Sequence, residues 1–369
     1  MSNLPAWPQF NPKTLKRVAS ILESGKVNYW TGPEGKRFES MFAKWLGVRQ
    51  AVSVSNGTDA LHLALEALGI GLGDEVICTP YSFRASATCV NNAGATPVFA
   101  DVGEDHLLNA RTIAEVITPR TKAVVVVHLY GQVADMGPIL MLARKHKIFV
   151  VEDCAQCLGG EYHGKKVGTI GDVGCFSFCQ SKHITTGGEG GMICARNAHV
   201  IRRVMSLRDH GWKVGSSPKE FERVGYNSRL TEIQSVVGIG EMERLDGWNL
   251  PRRRWLYEAL RDGLQGSRYG KELISQWPID TKVRKASFWL VPFVINEGKL
   301  KCSVAKFIER LQEKGAGAYK IMWPLMDDKP MARKLIGCTV GFWVHPTYTL
   351  REIRLAVKAF DQVASACIA

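Results

Sequence analysis

The sequence has no apolar run approaching the roughly 18–20 residues needed to cross a bilayer. Its N-terminal stretch, MSNLPAWPQFNPKTLKR, has no continuous apolar core behind a basic start, so a secretory signal is not expected. Internal repeats and low-complexity segments are absent, which excludes solenoids and disordered tracts. No zinc-finger, RRM or basic-zipper pattern accompanies the basic residues. Acidic residues are in deficit: 35 Asp+Glu face 48 Lys+Arg, a net charge of +13. With the basic residues spread along the chain, this surplus suits a small anionic metabolite better than nucleic acid or a membrane. The densest basic cluster, Arg252, Arg253 and Arg254, falls in a helical pattern and reads as a solvated face.

What remains is ordinary globular material, 46% hydrophobic and 22% charged over 369 residues, enough for about two domains. A cytoplasmic protein is expected. Ten cysteines are many for that compartment. Cys154, Cys157, Cys175 and Cys179 have a spacing open to zinc or to a thiol pair. Burial as small core residues explains them better, because Cys175 and Cys179 flank the alternating Cys175-Phe176-Ser177-Phe178-Cys179.

From Ala51 to Glu152 strands and helices alternate. Strands are predicted at Ala51–Ser55, Glu75–Cys78, Thr96–Ala100, Lys122–Val127 and Ile148–Glu152. Helices are predicted at Thr58–Leu68, Arg84–Asn92, Asn109–Ile117 and Met136–His146. The strands AVSVS, AVVVV and IFVVE are short and β-branched, as in strands buried on both faces. The fold class is therefore α/β, a mostly parallel sheet with helices on both sides. Short strands around Phe176–Phe178 and Met192–Cys194 follow, then helices near His199–Leu207 and Arg229–Arg244. Turn signals in Asp246-Gly-Trp-Asn-Leu-Pro251 mark a boundary. Residues 1–246 form the large domain. Residues 247–369 form a smaller α+β domain, with helices at Arg252–Leu264, Ser303–Lys314 and Thr349–Ala364 and a strand at Ser287–Val294.

In such sheets ligands sit at the carboxyl ends of the strands. Asn56-Gly57-Thr58 follows a strand and opens a helix, whose first N–H groups are unsatisfied and favour an anion. A plain Asn/Thr helix cap is the alternative. No Gly-Lys-Ser/Thr follows, so this is not a Walker loop. Asp153 ends an apolar strand, where a carboxylate is costly unless paired. It either caps locally or holds a protonated heterocyclic nitrogen. Lys182 follows the Phe176–Phe178 strand. Only about one free lysine in 2,500 is neutral at pH 7, so a catalytic amine needs a special environment. An anion cup, a carboxylate and a lysine on one sheet edge are what pyridoxal phosphate requires. Gly187-Gly188-Glu189-Gly190-Gly191 leads into a strand and reads as a tight turn, not a dinucleotide loop.

At these positions the chain resembles the DegT/DnrJ/EryC1/StrS sugar aminotransferases, fold-type-I pyridoxal phosphate enzymes. The resemblance runs over roughly residues 20–250. It is carried by Asn56-Gly57-Thr58-Asp59-Ala60-Leu61, Gly71-Leu72-Gly73-Asp74-Glu75, His128-Leu129-Tyr130-Gly131-Gln132 and Glu152-Asp153-Cys154-Ala155-Gln156. Gly171-Asp172-Val173-Gly174, Lys182 with its glycine turn, and Gly225-Tyr226-Asn227-Ser228-Arg229 complete it. The resemblance implies a large domain of aminotransferase fold type I, with pyridoxal 5'-phosphate as cofactor. It implies that Lys182 forms the Schiff base and then moves the substrate proton. Asp153 would pair with the pyridine nitrogen, Gln156 would contact the ring or its phenolic oxygen, and Phe83 would stack on the ring. Gly57, Thr58 and Ser177 would bind the phosphate. Asn227 would reach that phosphate from a neighbouring subunit, with Arg229 close by, making a homodimer with shared sites. The implied reaction moves an amino group from glutamate or glutamine to a keto group of a nucleotide-linked sugar.

Two stretches depart from the family pattern. Tyr319 to Leu325 only loosely matches its His-Tyr-Pro-containing segment. Phe342-Trp343-Val344-His345-Pro346 is similar to a dehydratase branch in which histidine replaces the Schiff-base lysine. His183 is adjacent, but the count from Phe176-Ser177-Phe178 puts Lys182 at that position. A sugar dehydratase, a cyclitol aminotransferase and a non-catalytic regulatory protein are the rival expectations.

Overall fold

A computed structural model describes residues 4–217, 220–320 and 324–368. Residues 321–323 of the loosely matching segment lie outside the described residues. The alternating region builds a seven-stranded sheet. Its spatial order is Ala51–Val54, Gly191–Ala195, Val173–Ser177, Phe149–Asp153, Thr121–Val127, Glu75–Cys78 and Thr96–Phe99. Gly191–Ala195 runs antiparallel to both neighbours, and the remaining pairs are parallel. Six strands therefore point one way and end on one edge.

The two-residue period of a strand divides this sheet between two cores. Along Thr121–Val127, Val124 and Val126 pack on one face with Phe38, Phe42, Ile139 and Ile239. Ala123 and Val125 pack on the other with Leu61, Val90, Ile201 and Val204. The same partition separates the cysteines: Cys154 and Cys157 lie in the first core and Cys175 in the second. The sheet thus keeps three of the four cysteines considered for zinc on opposite faces, each packed as a small apolar side chain.

A second, wholly antiparallel sheet runs in the order Ile274–Gln276, Leu290–Ile295, Thr339–Trp343 and Ala318–Lys320. Helices Leu250–Gly266, Val304–Glu313 and Leu350–Cys367 cover it through Leu256, Leu260, Phe307, Leu311, Phe360 and Val363. A small third sheet joins Arg284–Lys285, Glu161–Tyr162 and Lys165–Lys166. Among the described residues no helix is long and apolar enough to cross a membrane.

Three expectations are corrected. Asp246 to Pro251 is not a turn: Leu245–Asn249 forms a π-helical turn that continues into Leu250–Gly266. Pro251 occupies the first turn of Leu250–Gly266, the part of an α-helix that best tolerates proline. The helix expected near Arg229–Arg244 spans Glu232–Met242, because Thr231 and Gln234 form a capping box that starts it later. The arginine triplet is not a solvated face. Arg253 is fully buried and donates from Nε to Asn249 Oδ1 at 2.8 Å. Arg254 pairs with Asp280 and Arg252 donates to the Tyr348 carbonyl.

Burial also fixes a pH response. His106 and His183 are buried, and removal from water pushes the first down to about 4 and the second well below its ordinary value of 6.5. Both stay neutral in the folded chain and take up protons on unfolding. Their contribution is therefore fully present above the unfolded value and falls as pH drops below it. We expect stability to fall by about 1.4 kcal/mol per pH unit for each group below roughly pH 6. Urea titrations at pH 7.5 and 5.5 check this, and His106→Gln should flatten the dependence.

Candidate active site

The carboxyl edge of the large sheet opens into a cleft of about 730 Å³. Seven of the nine residues singled out from the sequence line it: Gly57, Thr58, Phe83, Asp153, Gln156, Ser177 and Lys182. Asn227 and Arg229 do not. Asn227 is exposed and pairs across a β-bridge with Asp209, whose carboxylate also holds the Arg229 guanidinium.

The cup is built from the chain crossing between the first strand and its helix. Asn56 caps helix Gly57–Ala67, its side chain accepting from Asp59 N at 2.8 Å. Asn56, Gly57, Thr58 and Asp59 of that first turn line the cleft together with Ser177. Gly57 is required by close approach: a Cβ there would lie 2.6 Å from Ser177 Cβ. Gly57→Ala should therefore push the cup and Ser177 apart. A fluorescence titration of the cofactor-free protein should show at least about tenfold weaker pyridoxal phosphate binding.

Asp153 ends strand Phe149–Asp153 and is 5% exposed. Its Oδ2 accepts from Ser86 Oγ at 2.9 Å and its Oδ1 from Ala155 N at 3.1 Å. Burial pushes its pKa up; these donors, together with the nearby Lys182, only partly oppose that rise. The neighbouring Glu152 behaves in the opposite way. Burial raises it, but His128 and the Gly168 and Gly171 N–H groups outweigh burial and hold it below its ordinary value. Ala134 N donates to His128 Nδ1 at 3.1 Å, so the imidazole proton sits on Nε2, 3.0 Å from Glu152 Oε2. His128, Glu152 and Cys154 are grouped closely enough to ligate a metal, but these bonds already occupy the imidazole and the carboxylate.

Lys182 lies in the loop between strands Val173–Ser177 and Gly191–Ala195. Its Nζ sits 4.5 Å from the centroid of the Trp289 ring. Burial pushes the amine below its ordinary pKa, while Asp153, Cys179 and Glu189 resist that fall. Desolvation thus raises the share of neutral amine available to attack a carbonyl. Gln156 is buried, and its Oε1 accepts from Tyr130 N at 2.9 Å, so its N–H donors are the end left for a ligand. His183 does not line the cleft. Its Nε2 faces the Ser287 carbonyl at 3.1 Å, which removes it from the position a substitute for the lysine would need.

Sequence reading missed several lining residues. Ser86, the hydroxyl on Asp153, lies in the first turn of helix Ala85–Asn92, three residues after Phe83. Trp289, Trp343 and Tyr319 form an aromatic wall from the antiparallel sheet, with Trp289 and Trp343 edge to face at 5.1 Å. They lie more than a hundred positions from Lys182, and no motif signals their meeting.

An anion cup that a Cβ would fill, an amine of lowered pKa and a buried, incompletely compensated carboxylate on one cleft fit pyridoxal phosphate. Residues 8–351 match the DegT/DnrJ/EryC1/StrS aminotransferase family. The chain is 44% identical over 253 residues to the UDP-N-acetyl-3-dehydro-alpha-D-glucosamine 3-aminotransferase of Acidithiobacillus ferrooxidans; the match covers 67% of this chain and 66% of that protein. It is 36% identical over 387 residues to the GDP-perosamine synthase of Caulobacter vibrioides, covering 98% of this chain and all of the relative. The solved aminotransferase of Psychrobacter cryohalolentis superposes with a TM-score of 0.92 at 34% identity, covering 98% of this chain and 99% of that one. The chain belongs to the DegT/DnrJ/EryC1/StrS aminotransferase family and is a pyridoxal-phosphate-dependent aminotransferase of fold type I.

Proposed function

We propose that this enzyme moves an amino group from glutamate or glutamine to a keto group of a nucleotide-linked sugar. The observation that carries this reading is the convergence of Lys182, Asp153 and the Asn56–Thr58 cup on one cleft. Bound pyridoxal phosphate supplies the electron sink for a carbanion at the substrate Cα. Lys182 would hold the cofactor covalently and, once released, its Nζ would move a proton at the substrate Cα. Asp153 would pair with the pyridine nitrogen. The Gln156 amide would donate to the phenolic oxygen and Phe83 would stack on the ring. Gly57, Thr58 and Ser177 would bind the phosphate. The net charge of +13 suits an acceptor carrying a diphosphate, and relatives are named for UDP- and GDP-linked sugars.

The working unit is a homodimer in which Asn227 of one subunit reaches the phosphate held by the other. Exposed Phe221 and Val224 beside Asn227, at 69% and 88%, support a surface that a second copy covers. The chain divides at 246/247 into a cofactor-binding and a smaller domain, and it works in the cytoplasm. Mixing two inactive variants, Lys182→Ala and Asn227→Ala, tests the shared site. Random exchange of subunits should restore about one quarter of wild-type activity, since half the dimers then carry one intact site. No recovery after confirmed exchange would reject sharing.

A panel of nucleotide-linked keto sugars with ¹⁵N-labelled glutamate or glutamine, read by product mass, tests the reaction. Label should appear in the sugar. Loss of water without label would reject transamination in favour of dehydration. Label only in a free keto-inositol would reject the nucleotide-linked acceptor.

A further inference from the structure

The three consecutive carbonyls around the reactive lysine each accept a side-chain hydrogen bond from a distant part of the chain. Trp289 Nε1 donates to the Ser181 carbonyl at 2.7 Å. Trp7 Nε1 donates to the Lys182 carbonyl at 3.1 Å. Asn249 Nδ2 donates to the His183 carbonyl, and buried Arg253 holds the Asn249 amide by its other end. These donors lie 108, 175 and 66 residues from their acceptors, so none follows from the loop's own sequence. Trp289 touches the cleft and Asn249 belongs to the core. Trp7 does neither: it comes from the N-terminal segment and is half-buried.

Trp7 is itself held. Its ring stacks on His345 at 5.9 Å and 12°, and His345 stacks on Trp343 at 4.9 Å and 13°. Trp343 meets Trp289 edge to face, closing the set against the cleft wall. The Arg253 guanidinium lies 5.4 Å from the Trp7 ring centroid. A lysine side chain has a flexible four-carbon stem, so the aim of its amine depends on how firmly its peptide is fixed. A misplacement of about 1 Å costs about a hundredfold in rate.

We infer that Trp7 is a positioning residue for the cofactor-bearing lysine, its indole N–H fixing the Lys182 peptide so that Nζ stays over the Trp289 ring in the cleft that Asp153 also lines. This rests on the reading of Lys182 as the residue that holds pyridoxal phosphate. Two substitutions separate positioning from packing. Trp7→Phe keeps a ring on His345 and deletes only the donor, whereas Trp7→Leu deletes both.

Positioning predicts that kcat falls about tenfold in both variants, with KM for the amino donor within about twofold of wild type. The pH midpoint of the absorbance band of the lysine-bound cofactor should move by at least about half a unit in both. In the cofactor-free protein, reductive methylation of Lys182 by formaldehyde and cyanoborohydride should change at least about threefold by peptide mass spectrometry, with other lysines unaffected. Only Trp7→Leu should lower Tm. A Trp7→Phe enzyme with wild-type kcat, midpoint and methylation would overturn the inference, leaving Trp7 a packing residue. Borohydride reduction of the loaded wild-type enzyme reports on the underlying reading separately: a Lys182 peptide without added cofactor mass would overturn that reading.

Discussion

Lys182→Ala loses turnover by at least about 10⁴-fold and, after borohydride reduction, carries no cofactor on its 182 peptide. The size follows from one side chain doing two things at one atom. On the proposed reading Nζ would form the covalent link and then carry the proton, and general acid–base catalysis alone accounts for about 10²–10⁴. The fold should tolerate the change. The carbonyls of residues 181–183 are held by Trp289, Trp7 and Asn249 through the main chain, which alanine leaves in place. The cofactor-free variant should therefore keep a wild-type Tm within a few degrees. Full transamination by it would reject the whole mechanistic assignment.

Asp153→Asn has effects of opposite sign on activity and on stability. A charge pair at contact distance with an effective dielectric near 20 is worth about 4 kcal/mol, so losing it from the ring nitrogen should lower kcat by about 10²–10³-fold. The cofactor-free protein should nevertheless gain stability. Burial raises the Asp153 pKa, so ionisation above the ordinary carboxylate range works against the empty folded chain. Stability from this group is therefore greatest when it is protonated and declines as pH rises through the folded value. Asparagine keeps the shape and both bonds: its Oδ1 can accept from Ala155 N and its Nδ2 can donate to Ser86 Oγ. Thermal melts of the cofactor-free proteins at pH 7.5 should place the variant above wild type, while the cofactor raises Tm more in wild type than in the variant. A variant less stable than wild type without cofactor would show that Asp153 is a structural cap.

Much of the large sheet was readable because its strands are β-branched runs of four to seven residues with helical patterns between them. Asp153 and Lys182 stand out in the sequence because chemistry gathers where such strands end, and the structure brings both to one cleft. Other features were hidden for definite reasons. Arg252, Arg253 and Arg254 are consecutive on a helix, about 100° apart, so a triplet cannot all face one way. One had to turn inward, and nothing in a row of identical residues says which. Helix Pro12–Ser24 inverts the usual signal: Leu15 and Leu22 are exposed at 56% and 57%, and its buried residue is Thr14. The aromatic wall of Trp289, Tyr319 and Trp343 arises only when a second sheet meets the cleft, a long-range event without a local pattern.

The reversed strand Gly191–Ala195 makes the Lys182 loop a return connection, tied at both ends inside the sheet. Phe178 N donates to the Gly190 carbonyl at 2.7 Å, and Gln180 N to that of Gly188 at 2.9 Å. Lengthening such a connection must shift one of two interior strands, so duplication or grafting of residues should be far less tolerated here than in the 213–217 surface segment. Change is accommodated more easily on the aromatic wall of Trp289, Tyr319 and Trp343, where side chains can be exchanged without re-registering a sheet.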